Sequence, residues 1–173
     1  IYFISAGQVN VLTPINLGTG SVNVVVTSSG VESNTFVAQA AKETIALFVF
    51  DGTHIVAQHF PSYLDVGPST LFPGLTTPAK PGETILVYAN GLGPVTSTLT
   101  AGSIFQSGSL AAALPTMQVN GVQATVSAAS LISPGLYQLN VTLPMNLPNG
   151  DNPIAMQYDG HSIPAGAVVN IQQ

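Results

Sequence analysis

The sequence contains no cysteine, no tryptophan and no arginine, and its only cations besides histidine are Lys42 and Lys80. Without cysteine the chain has no disulfide, no thiolate metal ligand and no cysteine nucleophile. Two lysines cannot neutralise a row of phosphates, so we expect no nucleic-acid partner. Because only 5% of the 173 residues are charged, glycine, proline and uncharged polar residues must form most of the solvated surface.

Long hydrophobic runs are also missing. No apolar run approaches the roughly 18 residues of a membrane span, and the longest are residues 45–50 and 111–114. We therefore expect no membrane insertion.

The chain starts at Ile1 without an initiator methionine, a basic segment or an apolar signal region, and we expect it to be a piece of a longer protein.

Apolar residues recur at every second position in several short segments, as in half-buried β-strands. Val22, Val24 and Val26 show this spacing, and so do Leu139 and Val141. The pattern predicts an all-β fold. The best helical candidate, residues 107–114, is short and is expected to be part of a loop.

Three dipeptides that favour tight hairpin turns separate the predicted strands. Asn-Gly and Asp-Gly tolerate the positive φ angles of such turns. The pairs are Asp51-Gly52, Asn120-Gly121 and Asp159-Gly160. Their spacing along the chain is typical of a β-sandwich.

An internal repeat is the most informative feature of the sequence. Residues 8–30 match residues 138–160 at one constant offset and without a gap. The matched positions of the first copy are Gln8, Val9, Asn10, Val11, Pro14, Asn16, Leu17, Gly20 and Gly30. A long stretch with predicted strands, residues 81–130, precedes the second copy, whereas the first copy begins close to Ile1. We therefore expect the first repeated module to lack its front half.

Residues 80–173 resemble the IPT/TIG type of immunoglobulin-like domain. The resemblance rests on Pro81–Ile85, on Asn90–Pro94, on the Asn120–Ala124 hairpin, on the strand that ends at Pro144 and on the Asp159-Gly160 turn. The Gly91-Leu92-Gly93-Pro94 and Tyr137–Val141 motifs, with the upstream Gln8–Val11 copy, make the whole chain similar to an uncharacterised C-terminal domain of large secreted acidobacterial proteins.

This resemblance implies tandem immunoglobulin-like β-sandwich modules in an extracellular or cell-surface protein. We place a partial module, a hairpin and a connector in residues 1–78, and a complete sandwich in residues 79–173. The family has no known catalytic residues, so no residue is assigned to catalysis, to a cofactor or to a metal.

One cluster of polar residues is a candidate for chemistry: Asp51, His54, His59, Tyr63 and Asp65. Side chains five residues apart on an extended strand point to opposite faces, so the two histidines are not expected to share a metal. The favoured interpretation is exposed polar positions on a hairpin. The alternatives are a metal site that uses His59 with Asp65, and hydrolysis at a Ser62–His59–Asp65 arrangement.

Other polar and aromatic residues have ordinary structural explanations. Asp151 and Asp159 lie near turns, where aspartate accepts local hydrogen bonds, and His161 is expected at the surface. Phe60 and Tyr63 could form a small platform for a sugar ring.

The leading hypothesis from the sequence is a non-catalytic structural or interaction module: a spacer, an adhesion unit or a C-terminal appendage of a larger protein. A polysaccharide-binding module is the alternative, and a weak hydrolase or metal site around His59 is the third. The expected partners are other domains of the parent protein, with a glycan as a further candidate. A shortened first module would leave an open edge at residues 8–14 or 22–27, which favours edge-strand pairing or a homodimer.

Overall fold

The computed structural model describes residues 3–14, 17–100 and 102–173. All the regular secondary structure in these ranges is β-strand, which confirms the predicted all-β class. Contacts divide the chain into two compact units, Ile1–Lys42 and Glu43–Gln173. They are called the first and the second unit below.

The strands of the first unit are short. They are β1 (Phe3–Ile4), β2 (Val9–Asn10), β3 (Gly20–Val24), β4 (Thr27–Ser28), β5 (Val31–Glu32) and β6 (Phe36–Ala40). They pair as the antiparallel ribbons β1–β2, β3–β6 and β4–β5. Among the described residues of this unit no side chain is fully buried.

The second unit has twelve described strands. They are β7 (Ala46–Leu47), β8 (Ala57–His59), β9 (Asp65–Val66), β10 (Thr76–Thr77), β11 (Thr84–Asn90), β12 (Gly108–Ser109), β13 (Thr116–Val119), β14 (Val122–Ser133), β15 (Leu136–Thr142), β16 (Gly150–Tyr158), β17 (His161–Ser162) and β18 (Val168–Ile171). Their hydrogen-bonded order is β10-β9-β8-β11-β15-β14-β13-β16-β17, with β7 also on β11, β12 on β14 and β18 on β16.

Each of two long strands pairs with different neighbours along its length and so contributes to both faces of this sandwich-like arrangement. In β14, Val122–Ala124 pairs with β13, whereas the pairing with β15 starts at Thr125 and is irregular between Val126 and Ala128. In β16, the first residues pair with β18 and the later ones with β13. The bulge bends β14, so one strand can pass from one face to the other.

The core lies between these faces and follows the alternation in the sequence. In β15 every second side chain is buried, with Leu139 and Val141 completely inaccessible. Ile154, Met156 and Tyr158 of β16 face the same cluster. Each fully buried aliphatic side chain stabilises the fold by roughly 1.5–3 kcal/mol relative to an exposed one.

The three predicted turns are confirmed. Asn120 and Gly121 both have positive φ angles, 50° and 74°, and join β13 to β14. Asp159 and Gly160, at 46° and 80°, join β16 to β17. At the first turn the N–H of Phe50 donates to the carbonyl of His54 across 2.8 Å, with Gly52 at φ 92°. Residues 107–114 contain no helix; they contain the two-residue strand β12, which pairs with β14, and a bend.

Residues 43–78 form part of the second unit. The sequence places a domain boundary at residue 78, whereas the contacts of the folded chain divide between Lys42 and Glu43. The physical reason is main-chain pairing: β7 and β8 both form antiparallel ladders with β11.

Among the described residues none belongs to a helix that could cross a bilayer.

Candidate functional site

A groove of about 860 Å³ lies beside the loop between β8 and β9. This loop brings Phe60 and Ser62 to one side, and the segment from Thr77 to Glu83 forms another. Gln172 and Gln173, which follow β18, complete the lining. The groove therefore combines an aromatic ring with hydroxyl, amide and charged groups.

His59 ends β8 and is the most highly connected side chain of this groove. Its Nδ1 atom lies 2.5 Å from Oε1 of Glu83, and its Nε2 atom lies 2.9 Å from Oγ1 of Thr77 and 3.1 Å from the Thr77 carbonyl oxygen. The other oxygen of Glu83 accepts a hydrogen bond of 2.9 Å from the N–H of Lys80. The network ties β8 to the segment that leads into β11.

The order hydroxyl, imidazole, carboxylate is also the order of a hydrolytic triad. A neutral His59 ring donates from Nδ1 to Glu83 and accepts from the hydroxyl of Thr77 at Nε2. In this arrangement Glu83 fixes the orientation of the imidazole.

Asp65 and Ser62, the partners that the sequence suggested for His59, do not occupy its ring nitrogens. Asp65 lies opposite Gln58, the neighbour of His59, and its Oδ1 atom is 3.3 Å from Gln58 Nε2. Adjacent residues of a strand point to opposite faces, so Asp65 belongs to the other side of the sheet. There Tyr88 donates a hydrogen bond of 2.7 Å to Gln58.

Sequence reasoning missed Thr77 and Glu83 as partners of His59. One local signal was present: Glu83 lies three residues after Lys80 with Pro81-Gly82 between them, a spacing that suits a turn closed by a side chain. The separation of 24 residues between His59 and Glu83 gives no pattern. Within the described ranges no group of three or more His, Asp or Glu side chains could hold a metal ion.

His54 forms a second network, which involves both Asp51 and Asp151. Its Nδ1 atom lies 2.7 Å from Oδ2 of Asp51, and its Nε2 atom lies 3.2 Å from Oδ1 of Asp151. Asn170 donates from its amide to the same oxygen of Asp151 across 2.5 Å. The hairpin tip is thus joined to β16 and β18 through side chains.

The two carboxylates favour the charged imidazole. Burial works against the charge, but hydrogen bonds to Asp51 and Asp151 outweigh it and raise the pKa of His54 above its usual 6.5. Hydrogen bonds from the main chain and the ring of His54, and from Thr53, hold the pKa of Asp51 well below its ordinary value. The Asn170 amide has the largest effect on Asp151 and lowers its pKa, assisted by His54.

Phe60 and Tyr63 lie together at the loop between β8 and β9. Their ring centroids are 6.3 Å apart, and the rings are almost perpendicular, at 88°. Both residues are more than half exposed. Tyr63 has a φ of 60°, an uncommon conformation for a bulky residue, and its N–H donates to the His59 carbonyl.

The remaining predicted residues lie at turns and edges. Asp159 occupies the positive-φ position of the turn after β16, and His161 follows in the exposed strand β17.

Comparison of the chain with protein-family models, with curated proteins and with solved structures finds no match. The functional inference therefore rests on the geometry of the described residues.

Proposed function

We propose that this chain is part of a non-catalytic structural and interaction region of a larger secreted or cell-surface protein, serving as a spacer, adhesion unit or C-terminal appendage. In this proposal residues 3–42 are the rear half of one immunoglobulin-like module, and the second unit contains the next. The observation that carries it is that two ribbons of the first unit, β3–β6 and β4–β5, repeat the pairing of the last strands of the second.

The pairing registers of these ribbons correspond, with a shift of one residue in one of them. Thr27 faces Glu32 and Ser28 faces Val31 in the β4–β5 ribbon; Gln157 faces Ser162 and Tyr158 faces His161 in the β16–β17 pair. All four positions are related by the offset of the sequence repeat. In the β3–β6 ribbon Gly20 faces Ala40, and in the β16–β18 pair Gly150 faces Ile171, one residue later because the loop before β18 is one residue longer.

Turn geometry and hydrogen bonds repeat as well. Ser29 and Gly30 have φ angles of 51° and 80°, against 46° and 80° at the equivalent Asp159 and Gly160. The N–H of Ser33 donates to the carbonyl of Val26, as that of Ile163 does to Met156. Cross-strand side-chain bonds recur at equivalent positions, Gln39 to Ser21 and Asn170 to Asp151.

The equivalent side chains differ in exposure. Val11 is 62% exposed, whereas its counterpart Val141 is completely buried. Val24 and Val26 are 43% and 49% exposed, whereas their counterparts Ile154 and Met156 lie in the core. The first unit therefore presents, uncovered, the side chains that a sandwich of this type encloses, and burying such apolar surface is strongly favourable.

In the second unit β16 pairs edge to edge with β13, with Met117 opposite Met156 and Val119 opposite Ile154, and β13 pairs in turn with the first residues of β14. These four side chains all lie in the core cluster. A segment with the side-chain pattern of residues 81–130 would supply the first unit with the corresponding strands. A second copy of the chain is a poorer source, because its own Met117 and Val119 are already buried and would have to leave their core.

The test is a fusion in which a copy of residues 81–128 precedes Ile1 of the full chain. Ile4–Gly7 echoes Ile132–Gly135 in the sequence, so Ile1 then takes the place that Ala129 has in the second copy. We expect the amides of residues 20–40 to become protected from hydrogen exchange, and the binding of a hydrophobic dye to fall, because the added strands cover the ribbon. We expect the fusion to sediment as a monomer in analytical ultracentrifugation.

The matched control carries Met117→Asp and Val119→Asp in the copied segment only, which removes its apolar face. Equal protection in the control, or no protection in the fusion, would show that residues 3–42 are not half of such a module. The non-catalytic assignment has its own test: an esterase or glycosidase activity lost in both His59→Ala and Thr77→Ala would overturn it.

A further inference from the structure

The groove between β8, the segment 77–83 and the end of β18 contains more exposed binding chemistry than a spacer requires. Ser62, Ser69 and Thr77 contribute hydroxyl groups, and Gln172 contributes an amide. Hydroxyl and amide groups both donate and accept hydrogen bonds. They suit a ligand that is itself covered with hydroxyl groups.

Phe60 supplies an apolar surface beside these polar groups. Phe60 is 52% exposed and borders the groove, and its ring makes an edge-to-face contact with Tyr63. The positive φ of Tyr63 is a local backbone strain, and residues strained in this way cluster at functional sites such as ligand-binding loops. An exposed flat ring next to hydrogen-bonding groups matches a pyranose, which has an apolar C–H face and a rim of hydroxyls.

The charges of the groove and of the whole chain favour an uncharged ligand. The imidazole of His59 and the carboxylate of Glu83 are paired with each other at 2.5 Å, which leaves Lys80 as the cation that the groove can offer to a ligand. The chain has a net charge of −5 and no arginine. A polyanion would therefore be repelled by the protein as a whole and held by one ammonium group at most.

We propose that this groove binds a neutral polysaccharide, with one sugar ring stacked on Phe60 and its hydroxyls bonded by Gln172 and the serine and threonine hydroxyls. A volume of about 860 Å³ lies within the roughly 300–1,000 Å³ range of small-molecule sites and suits a short run of sugar units. The site is independent of the proposed closure of the first unit.

The absence of tryptophan from the chain allows a direct test. In Phe60→Trp the only indole lies at the groove, and we expect its fluorescence to shift on titration with at least one of β-glucan, xylan and galactomannan, and not with polygalacturonate. Phe105→Trp is the matched control, because Phe105 is 86% exposed in another loop and should give no shift.

Affinity electrophoresis of the full chain through gels that contain the same polymers gives an independent readout. We expect retardation of the unmodified chain, at least a tenfold weaker interaction in Phe60→Ala, and no change in Phe105→Ala. Thermal unfolding of each variant establishes that it is folded. The proposal is wrong if none of the neutral polymers retards the chain, if only polygalacturonate does, or if Phe60→Ala and Phe105→Ala behave alike.

Discussion

The phenolic hydroxyl of Tyr137 donates a hydrogen bond to the main-chain carbonyl of Gly93. This bond joins the Gly91–Pro94 motif to the start of β15, 44 residues later in the chain. Tyr137 is buried, and burial raises the pKa of its hydroxyl, with a smaller contribution from Tyr158. The two motifs that were separate signatures in the sequence are thus in direct contact.

Tyr137→Phe should lower the free energy of unfolding by about 1–2 kcal/mol, because it leaves a carbonyl without its partner while keeping the ring in place. Urea denaturation followed by circular dichroism measures the change. The control is Tyr63→Phe, which alters an exposed hydroxyl and should stay within about 0.5 kcal/mol of the parent. Equal effects of the two changes would contradict this role for Tyr137.

Gly91 is required by a close approach of two main-chain segments. A Cβ atom at this position would lie 1.9 Å from the carbonyl oxygen of Thr44, and the φ angle is 70°. We expect Gly91→Ala to lower the free energy of unfolding by about 3 kcal/mol or more. The Thr44 carbonyl belongs to the main chain and cannot move aside from the added methyl group as a flexible side chain would.

Gly52→Ala separates this clash from backbone strain. Gly52 has a φ of 92° but open space around its Cβ position, so its replacement should cost only the roughly 1–2 kcal/mol of a left-handed residue. Both values come from denaturant unfolding. If Gly91→Ala were no more destabilising than Gly52→Ala, the contact with Thr44 would not explain the glycine.

The His54 network should make stability depend on pH. Its pKa is raised on folding, so its stabilisation is complete below the unfolded value of about 6.5 and is lost as pH rises through the folded value. Asp51 and Asp151 have lowered pKa values, so their contribution is present above the unfolded value and is lost as pH falls.

His54→Gln should therefore lower the melting temperature most near pH 5–6, by a few degrees at most because the aspartates are partly exposed. The difference from the parent should shrink by pH 9. His161→Gln, in an exposed strand, is the control and should show no such dependence. A difference that is constant from pH 5 to pH 9 would mean that the charge of His54 does not stabilise the fold.

The paired positions Val11 and Val141 allow one substitution to be compared in the two units. Val141→Ala removes two methyl groups from a closed core and should cost about 2–3 kcal/mol. Val11→Ala, at an exposed position, should cost less than about 0.5 kcal/mol. In the fusion that carries the copied strands, the cost of Val11→Ala should rise towards that of Val141→Ala; an unchanged cost would argue against closure of the first unit.

The sequence by itself determined the fold class and the turns. Alternation such as that of Leu139 and Val141, and the Asn120-Gly121 and Asp159-Gly160 pairs, act over a few residues, because strand period and turn conformation are local properties of the chain. The repeat at a constant offset also lies in the sequence. The equivalence of the modules and their exported context remain proposals.

Only the tertiary structure decided which distant groups meet. Glu83 bonds His59 instead of Asp65, and Asp151 reaches His54 across 97 residues. Strand pairing also assigns residues 43–78 to the second unit. The physical reason is that sheet order and register set these contacts, and the pairing of strands far apart in the chain depends on the packing of the whole core, which no local pattern specifies.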